Sequence, residues 1–172
     1  ALYANIDEFE YDEDSLPISD RPEIDRWIIS RLYTTVKKTD NFFEQYEPTK
    51  AVREIEKFTE ELSNWYIRRN RRRFWKDGNS DDKIAAYNTL FECLINLSKL
   101  IAPVAPFMAE WLYQNLNSQS GESVHISFFP TVEETAIDKE LEYKMERARL
   151  ISTIVLRLRN QLSINVRQPL AK

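Results

Sequence analysis

The densest run of chemically capable side chains is Trp65-Tyr66-Ile67-Arg68-Arg69-Asn70-Arg71-Arg72-Arg73-Phe74-Trp75-Lys76, which holds six basic groups, four aromatics and no acid. On a helix turning roughly 100° per residue, Arg68, Arg72 and Lys76 form an i, i+4, i+8 row flanked by Arg69 and Arg71. Neighbours in such a row sit one turn apart, ~5.4 Å, a spacing that can follow a phosphate backbone. Guanidinium forks hold phosphate oxygens in pairs. Trp65 and Trp75 project toward the same side, where a base can stack. The segment also has a structural reading. Its apolar seam, continued past Tyr66, reaches Arg69 and Arg73. Both are expected to pair with carboxylates of neighbouring helices, because buried charges need partners. In that reading Trp65 and Trp75 cover the core, and Tyr66 belongs to the seam. A second basic set, Arg147, Arg149, Arg157, Arg159 and Arg167, is spread along the last helix and its exit.

Other chemistries have little support. His125 is the only histidine, so nucleophile–base arrangements have one base available. Glu122 and His125 make a single Glu-x-x-His, whereas di-metal bundles need two such motifs and further glutamates. Cys93 is the only cysteine, which excludes an internal disulfide and a thiolate cluster. It sits on an apolar helix and is expected in the core. Carboxylate pairs are abundant at this composition and carry no signal. No metal site is expected.

The elements that position the basic run are helical. Only 2 glycines occur among 172 residues, too few for a strand-and-turn protein or a phosphate-cradling loop. A first helix is expected over about 22–45, with Asp20 as cap, Glu23 completing a capping box and Pro22 in the first turn. Ile24, Trp27, Ile28, Leu32 and Val36 repeat along it at helical spacing, and Phe42 and Phe43 close the stripe. A second helix runs from about 48 to 75, with Val52, Ile55, Thr59, Leu62 and Tyr66 as its seam. A turn follows at 76–81, with Gly78 suited to a positive φ. A third helix spans about 81–101 and Pro103 ends it. Pro106 opens a fourth, reaching Leu116. Residues 117–135 are irregular, with 124–129 expected as an extended strip docked by its aromatics. A fifth helix spans about 138–162, its face made of Leu141, Met145, Ala148, Ile151, Val155, Leu158 and Leu162. The fold class is all-α, an up-and-down bundle of four to five helices.

Charge separates along the chain. The net is −4, with 8 basic against 15 acidic residues in positions 1–60 and 16 against 13 in 61–172. A polyanion responds to the local field, so the basic second half matters more than the sum. Asp7, Glu8, Glu10, Asp12, Glu13 and Asp14 make 1–19 an acidic tail, with Leu2, Tyr3, Ile6 and Phe9 as points where it can dock. No run approaches the roughly 18 apolar residues of a membrane span.

Several segments, taken in order, resemble the anticodon-binding bundle of class I isoleucyl-tRNA synthetases. Leu62 through Trp75 resembles the family's signature segment. Leu2-Tyr3-Ala4-Asn5-Ile6-Asp7 resembles the stretch leaving the catalytic half, and Asp25-Arg26-Trp27-Ile28-Ile29-Ser30-Arg31-Leu32 the opening of the first bundle helix. Ile101-Ala102-Pro103-Val104-Ala105-Pro106-Phe107-Met108-Ala109-Glu110 resembles a helix exit shared with valyl, leucyl and methionyl relatives. Glu122-Ser123-Val124-His125 resembles a later loop, and Asn165-Val166-Arg167-Gln168-Pro169-Leu170 the junction beyond the bundle. The resemblance implies a helical domain at 20–163, a linker from a catalytic half at 1–19 and the start of a C-terminal junction at 164–172. It implies that the chain grips the anticodon stem and loop of tRNA(Ile) and is itself non-catalytic and cofactor-free. The whole enzyme would be cytoplasmic, would join isoleucine to tRNA with ATP and magnesium, and would carry an editing domain. Its catalytic and C-terminal domains would be this domain's partners, with no membrane involved. Arg68, Arg71, Arg72, Lys76, Trp75, Arg157, Arg159 and Arg167 are candidate RNA contacts. Arg69, Arg73, Trp65 and Tyr66 are candidate structural residues. The same bundle from a valyl or leucyl enzyme is one alternative, against which Val166-Arg167-Gln168-Pro169-Leu170 argues. A helical protein-interaction module is the other.

Overall fold

The computed structural model describes residues 9, 11, 16–76, 78, 80–117 and 121–169. Among these the regular structure is helical throughout, with no strand. Helix α1 is Glu23–Glu44 and α2 is Pro48–Glu60. A π-helical stretch, Glu61–Ile67, continues α2 without a break into α3, Arg68–Trp75. Helix α4 is Asp81–Ile101, α5 is Pro106–Leu116 and α6 is Lys139–Gln161. Contacts divide the chain into two compact units, 1–137 and 138–172.

In the first unit α1 packs on the α2–π–α3 rod and on α4, and α4 packs on α5. The link of Gln45, Tyr46 and Glu47 is too short for anything but an antiparallel return. The cross-pairs agree, since Lys38 meets Glu54, Arg31 meets Glu61 and Asp25 meets Arg73. Trp27, Ile28, Ile29, Leu32 and Val36 are buried from α1, as the spacing predicts, and Cys93 is fully buried from α4. Burial of the Cys93 thiol raises it well above its ordinary value, with the nearby Glu92 carboxylate adding to the shift.

Three expectations are corrected by the backbone. Asp20 does not cap α1. It ends a short 3-10 turn, Ile18–Asp20, and its carboxylate accepts from the Ser19 hydroxyl at 3.0 Å. The cap position is the extended Pro22, which makes no side-chain cap bond. The strip at 124–129 is not β-like. Val124–Ile126 is a 3-10 turn capped by Ser123, whose oxygen accepts from the His125 N–H. Glu110 holds that turn by accepting from the Val124 N–H and the Ser123 hydroxyl, each at 2.9 Å. Val124 then packs with Ala109 and Tyr113 of α5 in a small core, while Phe128 is 93% exposed. Only Phe129 docks by its ring, edge-on to Phe43 at 6.2 Å.

The third correction concerns the second helix. Val52 and Thr59 are exposed, and the buried seam is Ala51, Ile55, Phe58, Leu62, Tyr66, Asn70 and Phe74. From Phe58 onward these residues are all four apart. On a regular α-helix each such step drifts by about 40°, so the seam would wind off the partner helix. The wider π turn at Glu61–Ile67 takes up most of that drift, as an inserted residue would.

Of the leading segment, Phe9 lies 5.1 Å from the Tyr87 ring and Tyr11 stacks on Phe91 at 4.4 Å. Leu2, Tyr3, Ile6, the six crowded acids, Asp77, Asn79 and Leu170 lie outside the described residues. Gly78 has φ +77°, as the turn at 76–81 requires. Ser80 caps α4 by accepting from the Lys83 N–H. Pro106 occupies the first turn of α5.

The second unit is the single helix α6 and its exit. Its expected seam is largely open: Ile151, Val155, Leu158 and Leu162 are all at least 45% exposed, although Leu141 is buried. Helix α6 ends in a Schellman motif with Ser163 at φ +54°: the Ser163 N–H donates to Asn160 and the Ile164 N–H to Arg159.

Helix α1 ends in the same motif. The Tyr46 N–H donates to the Phe43 carbonyl at 3.0 Å and the Glu47 N–H to Phe42 at 2.8 Å. Tyr46 therefore sits at φ +57° while its side chain is 93% exposed and contributes no packing. A side chain in the left-handed region costs about 1 kcal/mol that glycine avoids. Tyr46→Gly is expected to raise the thermal midpoint by roughly 2–4 °C in a calorimetric melt. An unchanged or lowered midpoint would show that the left-handed turn carries no strain.

Candidate nucleic-acid interface

The basic run is positioned by a buried carboxylate. Asp25, in the first turn of α1, is 0% exposed. It receives both prongs of the Arg73 guanidinium, Nη1 to Oδ1 at 2.7 Å and Nη2 to Oδ2 at 2.8 Å. The Tyr66 hydroxyl donates to the same Oδ1 at 2.8 Å. Arg73 also reaches Asp82 on α4, 2.9 Å from its carboxylate and 2.7 Å from its carbonyl. One guanidinium thus joins α1, α3 and α4. Burial works against its charge, but the hydrogen bonds and field of Asp25 outweigh that and hold Arg73 above its ordinary value. Burial, then the Asp25 charge and hydrogen bond, push the Tyr66 phenol well above its own.

Two further bonds fasten the end of α3. The Tyr87 hydroxyl donates to the Phe74 carbonyl at 3.3 Å, and the buried Lys83 ammonium donates to the Lys76 carbonyl at 2.8 Å. The Lys83 charge also opposes the negative end of the helix dipole. A second ion pair between α1 and the rod lies at the start of the π stretch, where Arg31 Nε donates to Glu61 at 2.8 Å with both groups buried. The π stretch is therefore bracketed by ionic anchors.

With that end fixed, Arg68, Arg69, Arg71, Arg72 and Lys76 are exposed and Trp75 is 54% exposed. Tyr66 is fully buried and Trp65 half-buried. Arg69 differs from the expectation of a buried, paired arginine. The π turn moves the seam on by one position, so Asn70 takes the inward place and Arg69 faces out. Arg73 keeps its pairing because its long side chain reaches back to Asp25 from the seam's edge, beside Phe74. In the second unit Arg157 and Arg167 are exposed. Arg159 is occupied in holding the chain after α6, donating to the Asn165 carbonyl at 2.8 Å and the Gln168 carbonyl at 3.0 Å. The basic run makes its helix locatable from sequence alone. The Asp25 and Lys83 anchors carry no such signal, since only the tertiary structure brings them to the helix end.

No three or more His, Cys, Asp or Glu side chains among the described residues are placed to hold a metal. His125, in the 3-10 turn, and Glu122, before its cap, are both exposed. No helix there is long and apolar enough to cross a membrane. What the first unit offers is a fixed helix face of cations with an indole at its end. That arrangement suits the regularly spaced charge of a nucleic-acid backbone.

Arg73→Ala strands the Asp25 carboxylate in the core and is expected to cost about 3–5 kcal/mol. Arg69→Ala removes an exposed side chain and should stay within about 0.5 kcal/mol. Urea denaturation of the two variants checks the contrast; equal losses would refute the assignment of the anchor. The raised Tyr66 and Cys93 groups also fix the alkaline behaviour. A group raised on folding contributes stability that is intact below its unfolded value and is lost as pH rises past it. Urea midpoints should therefore hold up to about pH 8.5 and fall steeply above about pH 10. Tyr66→Phe should shallow the fall, whereas a flat profile to pH 11 would contradict the burial of these protons.

The comparisons with known proteins point the same way as the geometry. The chain matches the family described as "Anticodon-binding domain of tRNA ligase" over residues 25–172. It is 51% identical over 175 aligned positions to the isoleucine–tRNA ligase of Bacteroides fragilis, covering 99% of this chain and 15% of that protein. It is 48% identical to those of Porphyromonas gingivalis, with 99% and 15% covered, and Cytophaga hutchinsonii, with 100% and 16% covered. The chain thus spans about 15% of the length of the curated relatives it matches. A match running from the Asp25 anchor to the end of the chain takes in both the clamp and the basic helix it holds, and on it this chain belongs to the family of anticodon-binding domains of tRNA ligases.

Proposed function

We propose that this chain holds the anticodon stem and loop of tRNA(Ile) as one domain of an isoleucine–tRNA ligase. The observation that carries the reading is the division within the basic run. Arg73 is used internally, while Arg68, Arg71 and Arg72 stand exposed on a helix whose end is fastened to two neighbours, with the exposed Lys76 at its extended C-cap. A row of cations on a fixed helix backbone avoids the cost of ordering a loop on binding, and its contacts to phosphate set register without reading sequence. Trp75, beside the row, offers a face for an unpaired base. The relatives are isoleucine–tRNA ligases, which supports isoleucine over the valyl and leucyl alternatives. In the whole enzyme, other domains of the polypeptide would use ATP and magnesium to join isoleucine to the tRNA and would edit mischarged products. It would work in the cytoplasm, where translation runs. A protein-interaction role finds less support, since a row of like charges at regular spacing suits the backbone of a polyanion.

Arg72→Ala tests the reading. One lost phosphate contact should weaken tRNA binding across sequences. It should also reduce the slope of log affinity against log salt by about 0.7–0.9, with folding changed by less than about 0.5 kcal/mol. Arg68→Ala and Lys76→Ala should behave alike. Filter binding over a salt series measures this, and a parallel titration with tRNA(Val) checks the preference for tRNA(Ile). If affinity and slope are untouched in all three variants, the row is ordinary solvated surface.

A further inference from the structure

The π turn has a consequence on the side of the rod away from the core. The buried seam is Ala51, Ile55, Phe58, Leu62, Tyr66, Asn70 and Phe74. Two positions on from each lie Arg53, Lys57, Glu60, Asn64, Arg68, Arg72 and Lys76, and every one of the seven is exposed. Two residues turn a helix by about 200°, so Arg53 through Arg72 run along the middle of the outward face, and Lys76 follows at the C-cap. The device that keeps the seam straight keeps this row straight too. Without it, Arg53 and Lys57 would be rotated away from Arg68.

Ion pairing separates the cations of this region into two groups. Arg31 is held by Glu61, Lys38 by Glu54 and Lys50 by Glu47. Arg53 and Lys57 have no carboxylate within salt-bridge distance among the described residues, although Glu56 and Glu60 are near in sequence. The same holds for Arg68, Arg72 and Lys76. Among the described residues, the row therefore carries five cations without an ion pair, one amide and one acid.

We propose that Arg53 and Lys57 form a second phosphate-binding patch, continuing the track of Arg68, Arg72 and Lys76 along the same polynucleotide backbone; this rests on the RNA-binding reading above. Eight residues separate Arg68 from Lys76, about 12 Å of helix, whereas the row from Arg53 to Lys76 is up to about 35 Å long. The longer track gives the domain contact with the paired stem as well as with the loop. Asn64 adds an uncharged donor between the two patches. Glu60 is the one group on the row that repels the ligand.

The test is a salt series of tRNA(Ile) binding to this chain, comparing wild type with Arg53→Ala/Lys57→Ala, Glu60→Gln and, as reference, Arg72→Ala. All these side chains are exposed, so circular dichroism should show unchanged folding. The double variant is expected to reduce the salt slope by about 1.4–1.8. Wild type should then lose about tenfold more affinity than the double variant between 50 and 200 mM salt. Glu60→Gln should tighten binding. If Arg72→Ala lowers the slope and the double variant does not, the track ends at Arg68 and this inference fails alone. If neither variant moves the slope, the RNA-binding reading fails and the extended track with it.

Discussion

The Asp25 carboxylate is the interaction on which the rest depends. A charge with no exposure is tolerated only when its lone pairs are filled, and here Arg73 and Tyr66 fill them. The three groups come from two elements, and Asp82 brings in a third. Removing any partner leaves the others in a medium that punishes them, so the arrangement is all-or-none. That property lets one buried acid fix the position of a helix whose own composition argues against docking. A helix with five arginines among eight residues has little apolar surface to offer a core. It is held by a salt bridge, two buried seam residues and bonds to its terminal carbonyls.

The π turn converts that local anchor into a long, straight element. Residues four apart are the simplest repeat for a sequence to carry, but an α-helix cannot keep them on one line. Inserting a wider turn restores the alignment at the cost of weaker backbone geometry over one stretch. The two ion pairs flanking the stretch, Arg31 with Glu61 and Asp25 with Arg73, hold it against relaxation to a regular helix. The buried face and the outward cationic face are products of the same register. The turn that lines up the core therefore also lines up the exposed cations.

The arginines of the signature run divide by position rather than by chemistry. Arg73 and Arg72 are neighbours with identical side chains. One is joined to a buried acid and the other faces solvent, because roughly 100° of helix separates them. Arg159 in the second unit shows a third use, closing the chain after α6 through two carbonyls. Counting basic residues would have merged these roles.

Residue order alone determined the helical class, the ends of four helices, the positive-φ turn at Gly78 and the location of the basic run. These follow from local rules: proline lacks an N–H, glycine tolerates a left-handed backbone, and apolar spacing reports a helix period. The resemblance in ordered motifs also reached the family, because those motifs span nearly the whole chain. The tertiary structure decided which arginine faces inward. That choice turned on a π turn, whose i→i+5 bonding has no residue signature and arises where two ionic anchors and a partner helix impose a register. It also decided that Asp25, Asp82 and Lys83 meet at one helix end, since pairs 48, 9 and 7 positions apart are joined by packing and not by spacing. The 3-10 turn at Val124–Ile126 belongs with these. A β-like string of residues took another form because the Glu110 carboxylate was there to bind its backbone.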